Sequence, residues 1–197
     1  VYEQKDLEEL AKFSQVPVIN GLSNREHPCQ ALSDLFTIKE KFGRLKKLDI
    51  AYIGDANNNV THSLIIICNI LGLDITISSP NKKEFLPDNS VIGEAEYFYE
   101  KEPKKAVKHT QIIYTDTWMS YHLPESQKAR RIKILKPYQI NARLFNASKE
   151  ALFMHCLPAG RGYEVTDDVI DSKRSIVFDQ SENRLWMQMA ILLKLLE

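Results

Sequence analysis

Short apolar runs alternate with segments of helical periodicity along most of the chain. In the helical segments, apolar side chains recur at intervals of three and four residues. This alternation predicts strands joined by helical crossovers. We therefore expect an α/β fold, a Rossmann-like and mostly parallel sheet with helices on both faces. Strands are predicted at residues 48–53, 75–77, 112–115, 152–155 and 176–178.

Glycines and prolines set the expected ends of the helices. Gly43 and Gly72 each follow a periodic apolar segment, which is typical of a helix C-terminus. Residues 16–19 read as an extended segment that Pro17 restricts to a sheet edge. Residues 96–99 fit either a strand or a helix. Helices are predicted at residues 6–13, 28–42, 60–71, 104–108, 125–135 and 167–171, and from about 182 onward.

Composition excludes several classes of function. The chain has 197 residues, enough for one domain spanning 1–197, and its 26 basic and 26 acidic side chains balance. A neutral chain gives no reason to expect a nucleic acid or an anionic membrane as partner. The three cysteines form no Cys-x-x-Cys pair, so we expect neither a disulfide framework nor a structural zinc site. A reducing, cytoplasmic location fits best.

The strongest chemical signal is the segment His155-Cys156-Leu157-Pro158, which directly follows a predicted strand. It places a thiol and an imidazole at the carboxyl end of that strand, where open α/β sheets bind ligands. The alternative at this point is structural, because a free cysteine is commonly buried and inert.

A second cluster, His27-Pro28-Cys29-Gln30, stands where a helix is predicted to begin. Pro28 suits the first helical turn, which puts His27 beside unpaired backbone amides that favour anions. Gln30 offers both a donor and an acceptor. A capping histidine and a surface glutamine are the structural alternative.

Two further polar clusters follow predicted strands. Residues 55–59 end in three asparagines, of which Asn59 opens a helix. Asp116 could hold an amine, and Ser120 could hold an amine or a carboxylate. A plain turn or a helix cap would explain either cluster without a ligand.

The last cluster, Glu182-Asn183-Arg184, is predicted to open the final helix. Arg184 offers a planar cation suited to a carbonyl or phosphate oxygen, although most such arginines are surface residues. All five clusters fall at predicted strand ends or helix starts. In a parallel sheet those positions share one edge, so we expect the clusters to converge.

Taken together, these segments resemble ornithine carbamoyltransferases along nearly the whole chain. The resemblance implies transfer of a carbamoyl group from carbamoyl phosphate to the side-chain amine of L-ornithine, giving citrulline and phosphate. It implies no metal and no organic cofactor. It also implies a trimer or a multiple of trimers.

The resemblance implies a role for each matched residue. Cys156, Asp116 and Arg184 would be catalytic, with Cys156 positioning the amine rather than attacking as a nucleophile. Carbamoyl phosphate would contact His27, Pro28, Gln30, Cys156, Leu157 and Arg184. Ornithine would contact Asn59, Asp116, Ser120 and Tyr121. The Leu157-Pro158 bond would be cis, which only bonds preceding proline adopt at modest cost.

Two departures from the family pattern matter. The sequence lacks the Ser-x-Arg-Thr phosphate loop, so we expect the carbamoyl-phosphate domain to be missing and the chain alone to be inactive or nearly so. Residues 1–30 and the final helix 182–197 would then be connections to that domain. The chain also starts at Val1 rather than Met, so we expect a fragment or a processed chain.

The second departure is Ser120-Tyr121-His122 where the family usually has Ser-Met-Gly, in the loop that closes over the amino acid and bears on amine selectivity. A carbamoyltransferase for another amine, such as putrescine, is therefore one alternative. A diamine has no α-carboxylate, so Asn59 and Ser120 would lose their roles. The other alternative is a non-catalytic binding module of the same fold.

Overall fold

The computed structural model describes residues 1–119 and 123–196. The helices are α1 (Gln4–Phe13), α2 (Pro28–Phe42), α3 (Asn59–Leu71), α4 (Asn89–Ile92), α5 (Pro103–Ala106), α6 (Lys128–Leu135), α7 (Ala142–Phe145), α8 (Asp167–Ile170) and α9 (Val177–Leu196). The strands are β1 (Asp49–Ile53), β2 (Asp74–Ser78), β3 (Phe98–Tyr99), β4 (Ile112–Thr115) and β5 (Leu152–His155).

The five strands form one sheet in the order β3-β2-β1-β4-β5, and every neighbouring pair is parallel. This confirms the predicted α/β fold with a parallel sheet. The chain winds outward from β1 in one direction to β3 and in the other to β5. The crevice outside the carboxyl ends of β1 and β4 is therefore the topological switch point, where such sheets bind ligands.

Both faces of the sheet are covered, as the continuous apolar runs predicted. On β1, Ile50 and Tyr52 belong to one buried cluster, which also holds side chains of α2 and α3. Ala51 and Ile53 alternate with them and belong to a second cluster, which holds side chains of α7 and α8. The two-residue period of a strand thus divides the core between two layers.

The two helices with glycine end signals match their predictions closely. α2 spans the predicted residues, and Gly43 follows it with φ +66°. α3 begins one residue early, where Asn58 caps it by accepting a hydrogen bond from the backbone N–H of Thr61 at 2.8 Å. Gly72 ends α3 with φ +64°, the left-handed conformation that glycine adopts without strain.

The prediction of a strand at residues 176–178 was wrong. α9 already begins at Val177, five residues before the predicted start. Ile176 and Val177 are buried and β-branched, which is the composition of a strand. Ile176 does donate one backbone hydrogen bond to Phe153 on β5, at 3.0 Å, but the chain then turns into the helix.

Two smaller predictions are also settled. Residues 16–19, expected to be extended at a sheet edge, lie outside the five strands. Residues 96–99, which fitted either element, contain the two-residue strand β3. Among the described residues, no helix has both the length and the apolar content to cross a bilayer.

Candidate active site

Cys156 and Asp116 meet at the carboxyl edge of the sheet. Each is the first residue after its strand, and the register pairs Thr115 of β4 with His155 of β5. The thiol sulfur of Cys156 therefore lies 3.2 Å from Oδ1 of Asp116, which is itself buried. The backbone N–H of Thr117 donates to the same oxygen at 2.7 Å, which fixes the carboxylate.

The surroundings keep the thiol of Cys156 protonated. Burial raises its pKa well above the ordinary value, and the negative charge of Asp116 raises the pKa further. At neutral pH the sulfur therefore keeps its proton, and the thiol donates a hydrogen bond to the carboxylate. A neutral thiol is a weak nucleophile, so this pair is better suited to holding a ligand than to attacking one.

The loop after β5 is held by a buried histidine and a buried glutamate. Nδ1 of His155 accepts a hydrogen bond from the backbone N–H of Leu157 at 2.9 Å, and its Nε2 lies 3.4 Å from Oε1 of Glu164. Glu164 also accepts from the backbone N–H of Gly160. Nδ1 of His155 is thus committed to the loop, whereas Nε2 makes no hydrogen bond among the described residues. The Leu157-Pro158 bond in this loop is cis.

Asp116, His155 and Cys156 are also the described residues that could hold a metal ion, because their donor atoms lie within 4.8 Å of one another. The hydrogen bonds above weigh against that use. Nδ1 of His155 is occupied by Leu157, and its Nε2 faces Glu164. A metal ion would have to displace one of these contacts.

A groove of about 490 Å³ opens beside this edge, between the start of α2 and one face of α9. Arg184, His27 and Leu157 line it together. Because Leu157 is the neighbour of Cys156 in the chain, the groove adjoins the thiol–carboxylate pair. The positive charge of Arg184 is near enough to Cys156 to lower the pKa of its thiol, so the predicted thiol, carboxylate and guanidinium lie in one region.

The position of Arg184 differs from the prediction. Because α9 begins at Val177, Arg184 lies in the third turn of the helix and not at its start. Its Nε is buried and has no hydrogen-bond partner among the described residues. A half-buried guanidinium with an unpaired N–H facing a groove can bind an oxygen atom of a ligand.

His27 is the residue before α2, as predicted, and Pro28 is the first residue of that helix. Burial lowers the pKa of His27 to about 4, and the positive charge of Arg184 contributes to the shift. The imidazole is therefore neutral at physiological pH. Its Nδ1 is buried without a partner among the described residues, so it can contact a ligand.

Gln30 is fully buried, which excludes the alternative of a surface glutamine. Its Nε2 donates to Oδ1 of Asp34 at 2.8 Å. Its Oε1 is left without a hydrogen-bond partner in the described part of the chain. Oε1 of Gln30 is therefore an unused acceptor near the start of α2, next to the groove-lining Cys29 but not itself in the lining.

The predicted ornithine contacts are placed only in part. Asn59 lies at the same edge of the sheet, as the first residue of α3, and its Nδ2 donates to the backbone oxygen of Ser23 at 2.7 Å. Its amide is thus tied to the segment before α2. Ser120 and Tyr121 lie outside the described residues.

Sequence reasoning missed three buried polar residues beneath the site, namely Asp34, Gln180 and Glu164. Asp34 comes four residues after Gln30, the spacing that places two helical side chains on one face. That spacing was the available signal. Gln180 lay between the strand predicted at 176–178 and the helix predicted from about 182, so its place on α9 could not be anticipated.

Comparison with known families decides where the chain belongs. A model of the Asp/Orn binding domain of aspartate/ornithine carbamoyltransferases matches residues 46–195. The chain belongs to this family. The model of the carbamoyl-P binding domain matches residues 1–40. The prediction that this domain is missing is therefore wrong, because the start of the chain, including part of α2, matches it.

Individual relatives agree with this assignment. The anabolic ornithine carbamoyltransferase of Pyrococcus furiosus is 49% identical over 98% of this chain and 63% of its own length. The crystal structure of the Thermus thermophilus ornithine carbamoyltransferase superposes with a TM-score of 0.89 at 39% identity, covering 100% of this chain and 65% of that one. The enzyme from Giardia lamblia gives the same TM-score at 34% identity, over 98% of this chain and 67% of its own. This chain thus spans slightly less than two thirds of most of these relatives.

Proposed function

We propose that this chain supplies the ornithine-binding part of an ornithine carbamoyltransferase. The reaction would move the carbamoyl group of carbamoyl phosphate to the side-chain amine of L-ornithine, giving L-citrulline and phosphate. The observation that carries the proposal is the contact of Cys156 with Asp116 next to the groove lined by Arg184 and His27. The names of the relatives point to the same reaction.

The thiol–carboxylate pair would receive the amine. An alkyl amine of this kind has an ordinary pKa of about 10.4, so it arrives protonated and must lose a proton before it can attack. Asp116 can accept a hydrogen bond from the amine and take up that proton. Cys156 would orient the nitrogen, and its protonated state supports this role over that of a covalent nucleophile.

Arg184 and His27 would act on the other substrate. As the amine nitrogen bonds to the carbonyl carbon of carbamoyl phosphate, the bond from that carbon to the phosphate oxygen breaks and phosphate leaves. Negative charge grows on the carbonyl oxygen, and the unpaired N–H of Arg184 would stabilise it. The backbone of Cys156 and Leu157, with Pro28 and Gln30, would complete the carbamoyl-phosphate contacts.

The domain assignment follows from the same proposal. Residues 1–197 would form one ornithine-binding unit, in which residues 1–30 and 182–197 connect to the rest of the carbamoyl-phosphate domain. We expect the 197 residues alone to turn over slowly or not at all, because they contain no Ser-x-Arg-Thr phosphate loop. The assembled enzyme would be a trimer or a multiple of trimers in the cytoplasm, where Cys156 stays reduced.

The deciding experiment is an assay of the natural, full-length polypeptide with carbamoyl phosphate and either ornithine or putrescine, with products measured by mass spectrometry. We expect citrulline to form at least about 100-fold faster than carbamoylputrescine, because a site built for the α-carboxylate rejects an analogue without it. Faster reaction with putrescine would establish the other amine as substrate. No product and no calorimetric binding of either amine would establish a non-catalytic module.

A further inference from the structure

Asp34 is a fully buried carboxylate directly beneath the proposed site. It lies on α2, one turn after Gln30. Three side chains donate hydrogen bonds to it: Gln30 at 2.8 Å and Gln180 at 2.7 Å reach Oδ1, and the hydroxyl of Tyr114 reaches Oδ2 at 2.9 Å. A buried carboxylate is costly unless it is hydrogen-bonded, so these three donors are what permits it here.

The carboxylate fixes which way both glutamine amides point. An ionised carboxylate only accepts hydrogen bonds, so each amide must turn its nitrogen toward Asp34 and its oxygen away. For Gln30 this leaves Oε1 buried and without a partner in the described chain. For Gln180 it directs Oε1 to the backbone N–H of His155, at 2.9 Å. His155 immediately precedes Cys156.

We propose that Asp34 is a positioning residue of the transfer reaction, which orients Gln30 as an acceptor for the carbamoyl –NH₂ group and, through Gln180, fixes the backbone that carries Cys156. The inference rests on the function proposed above. It adds that one carboxylate, which touches neither substrate, aligns the groups that bind both of them.

The connections of Asp34 support this role over that of a stability contact alone. Its partners come from α2, α9 and β4, and Gln180 extends the network to the end of β5. Gln180 also donates to the hydroxyl of Tyr114 at 3.0 Å, which closes a ring of hydrogen bonds. Asp34 is therefore hydrogen-bonded directly to Gln30, which would contact carbamoyl phosphate. Through Gln180 it is connected to the backbone before Cys156, which would contact the amine.

The first test needs no substitution. Burial raises the pKa of Asp34 to about 6, against the lowering effect of its hydrogen bonds. Its protonation should therefore be visible in an NMR pH titration of the intact polypeptide. The other titratable or charged groups that act on it or respond to it are Tyr114 of β4, Arg184 of α9, Cys68 of α3 and Cys156 after β5.

We expect the side-chain amide signals of Gln30 and Gln180 and the backbone N–H signal of His155 to shift together, with one midpoint near pH 6. If these signals shift with different midpoints, or if their chemical shifts do not change with pH, Asp34 does not orient these groups and the proposal is wrong.

The second test compares Asp34→Asn with Ser33→Ala. Ser33 is the adjacent and equally buried residue of α2, but its hydroxyl reaches the backbone oxygens of Cys29 at 3.0 Å and Asn183 at 3.5 Å, both outside the Asp34 network. We expect Asp34→Asn to speed hydrogen exchange of the His155 N–H about tenfold and to abolish the common titration. Ser33→Ala should leave both unchanged.

Kinetics of the full-length enzyme separate positioning from stability. We expect Asp34→Asn to lower kcat/KM for carbamoyl phosphate about 10- to 100-fold, with a higher KM for carbamoyl phosphate and a lower kcat. If Asp34→Asn lost only thermal stability and kept wild-type kinetics, as we expect of Ser33→Ala, the proposal would be wrong.

The two proposals fail in different ways. If the wild-type enzyme forms no citrulline, the proposed function is wrong. The titration and the exchange rates then still decide whether Asp34 aligns Gln30 with the backbone before Cys156. If the wild type is active and Asp34→Asn matches it in kcat and both KM values, only the role of Asp34 is wrong.

Discussion

The thiol of Cys156 donates a hydrogen bond to the carboxylate of Asp116, with 3.2 Å between sulfur and Oδ1. The two residues are 40 positions apart in the chain, and the parallel pairing of β4 with β5 brings them together. The contact joins a proton donor to an acceptor at the point where the proposed amine would bind. It also makes the reactivity of the thiol depend on the charge of the carboxylate.

Alkylation of Cys156 should therefore respond to Asp116. In Asp116→Asn, the loss of the negative charge should lower the pKa of the thiol and raise its rate of alkylation by iodoacetamide at pH 7.5 about three- to tenfold. Peptide mass spectrometry would measure the rate at Cys156 alone.

The matched control for this experiment is Asp74→Asn. Asp74 is exposed and lies at the opposite end of the sheet, as the first residue of β2. Its substitution should leave the rate at Cys156 unchanged. Equal rates in Asp116→Asn and the wild type would show that burial alone governs the thiol.

Replacing Arg184 by lysine should separate charge from geometry. Lysine keeps the positive charge but loses the planar pair of donors, so we expect kcat/KM for carbamoyl phosphate in the full-length enzyme to fall about 100-fold. Lys39→Met, which removes an exposed charge near the end of α2, should have no effect. Wild-type kinetics in Arg184→Lys would mean that a point charge is sufficient.

Glu164 should prove important for the loop after β5. Leucine at this position would leave the backbone N–H of Gly160 unpaired and His155 without its neighbour, at a cost of about 2–4 kcal/mol in the free energy of unfolding. Glu164→Gln should cost less, because an amide oxygen can still accept from Gly160. Urea denaturation measures both. The same loss in both variants would show that the negative charge, and not the hydrogen bond, stabilises the loop.

His27 should make stability fall on acidification. Its pKa in the folded state is about 4, below the ordinary value of 6.5. The unfolded chain therefore binds the proton more readily, and the contribution of His27 is complete above pH 6.5 and lost as the pH falls toward 4. Between pH 7.5 and 4.5 the wild type should lose about 1–3 kcal/mol relative to His27→Gln, which has no group to titrate there. If the free energies of unfolding of the wild type and His27→Gln changed by the same amount with pH, the lowered pKa of His27 would be contradicted.

Burial explains which elements could be predicted from the sequence. β1, β2, β4 and β5 are apolar because both faces of the sheet are covered, and their predicted limits agree with the structure to within one residue. β3 has only two residues, too few for a pattern to distinguish strand from helix. The strand predicted at 176–178 was wrong because residues that enter the core at the start of a helix have the composition of a strand.

The site was predictable where a motif marks a strand end. Cys156 and Asp116 follow apolar strands directly, so their meeting follows from parallel pairing. Asp34 could not be found in this way, because a carboxylate on a helix normally faces solvent, and only packing between distant elements buries it. Its partner Gln180 is 146 residues away.

The packing of α9 against α2 has a consequence for biosynthesis. α9 contributes Gln180, which hydrogen-bonds both to Asp34 on α2 and to the backbone at the end of β5. A nascent polypeptide emerging from the ribosome can assemble the sheet and its crossovers, but until α9 is translated Asp34 lacks one of its three donors. Closure of this region must therefore wait for α9, which makes it a late, long-range step of folding.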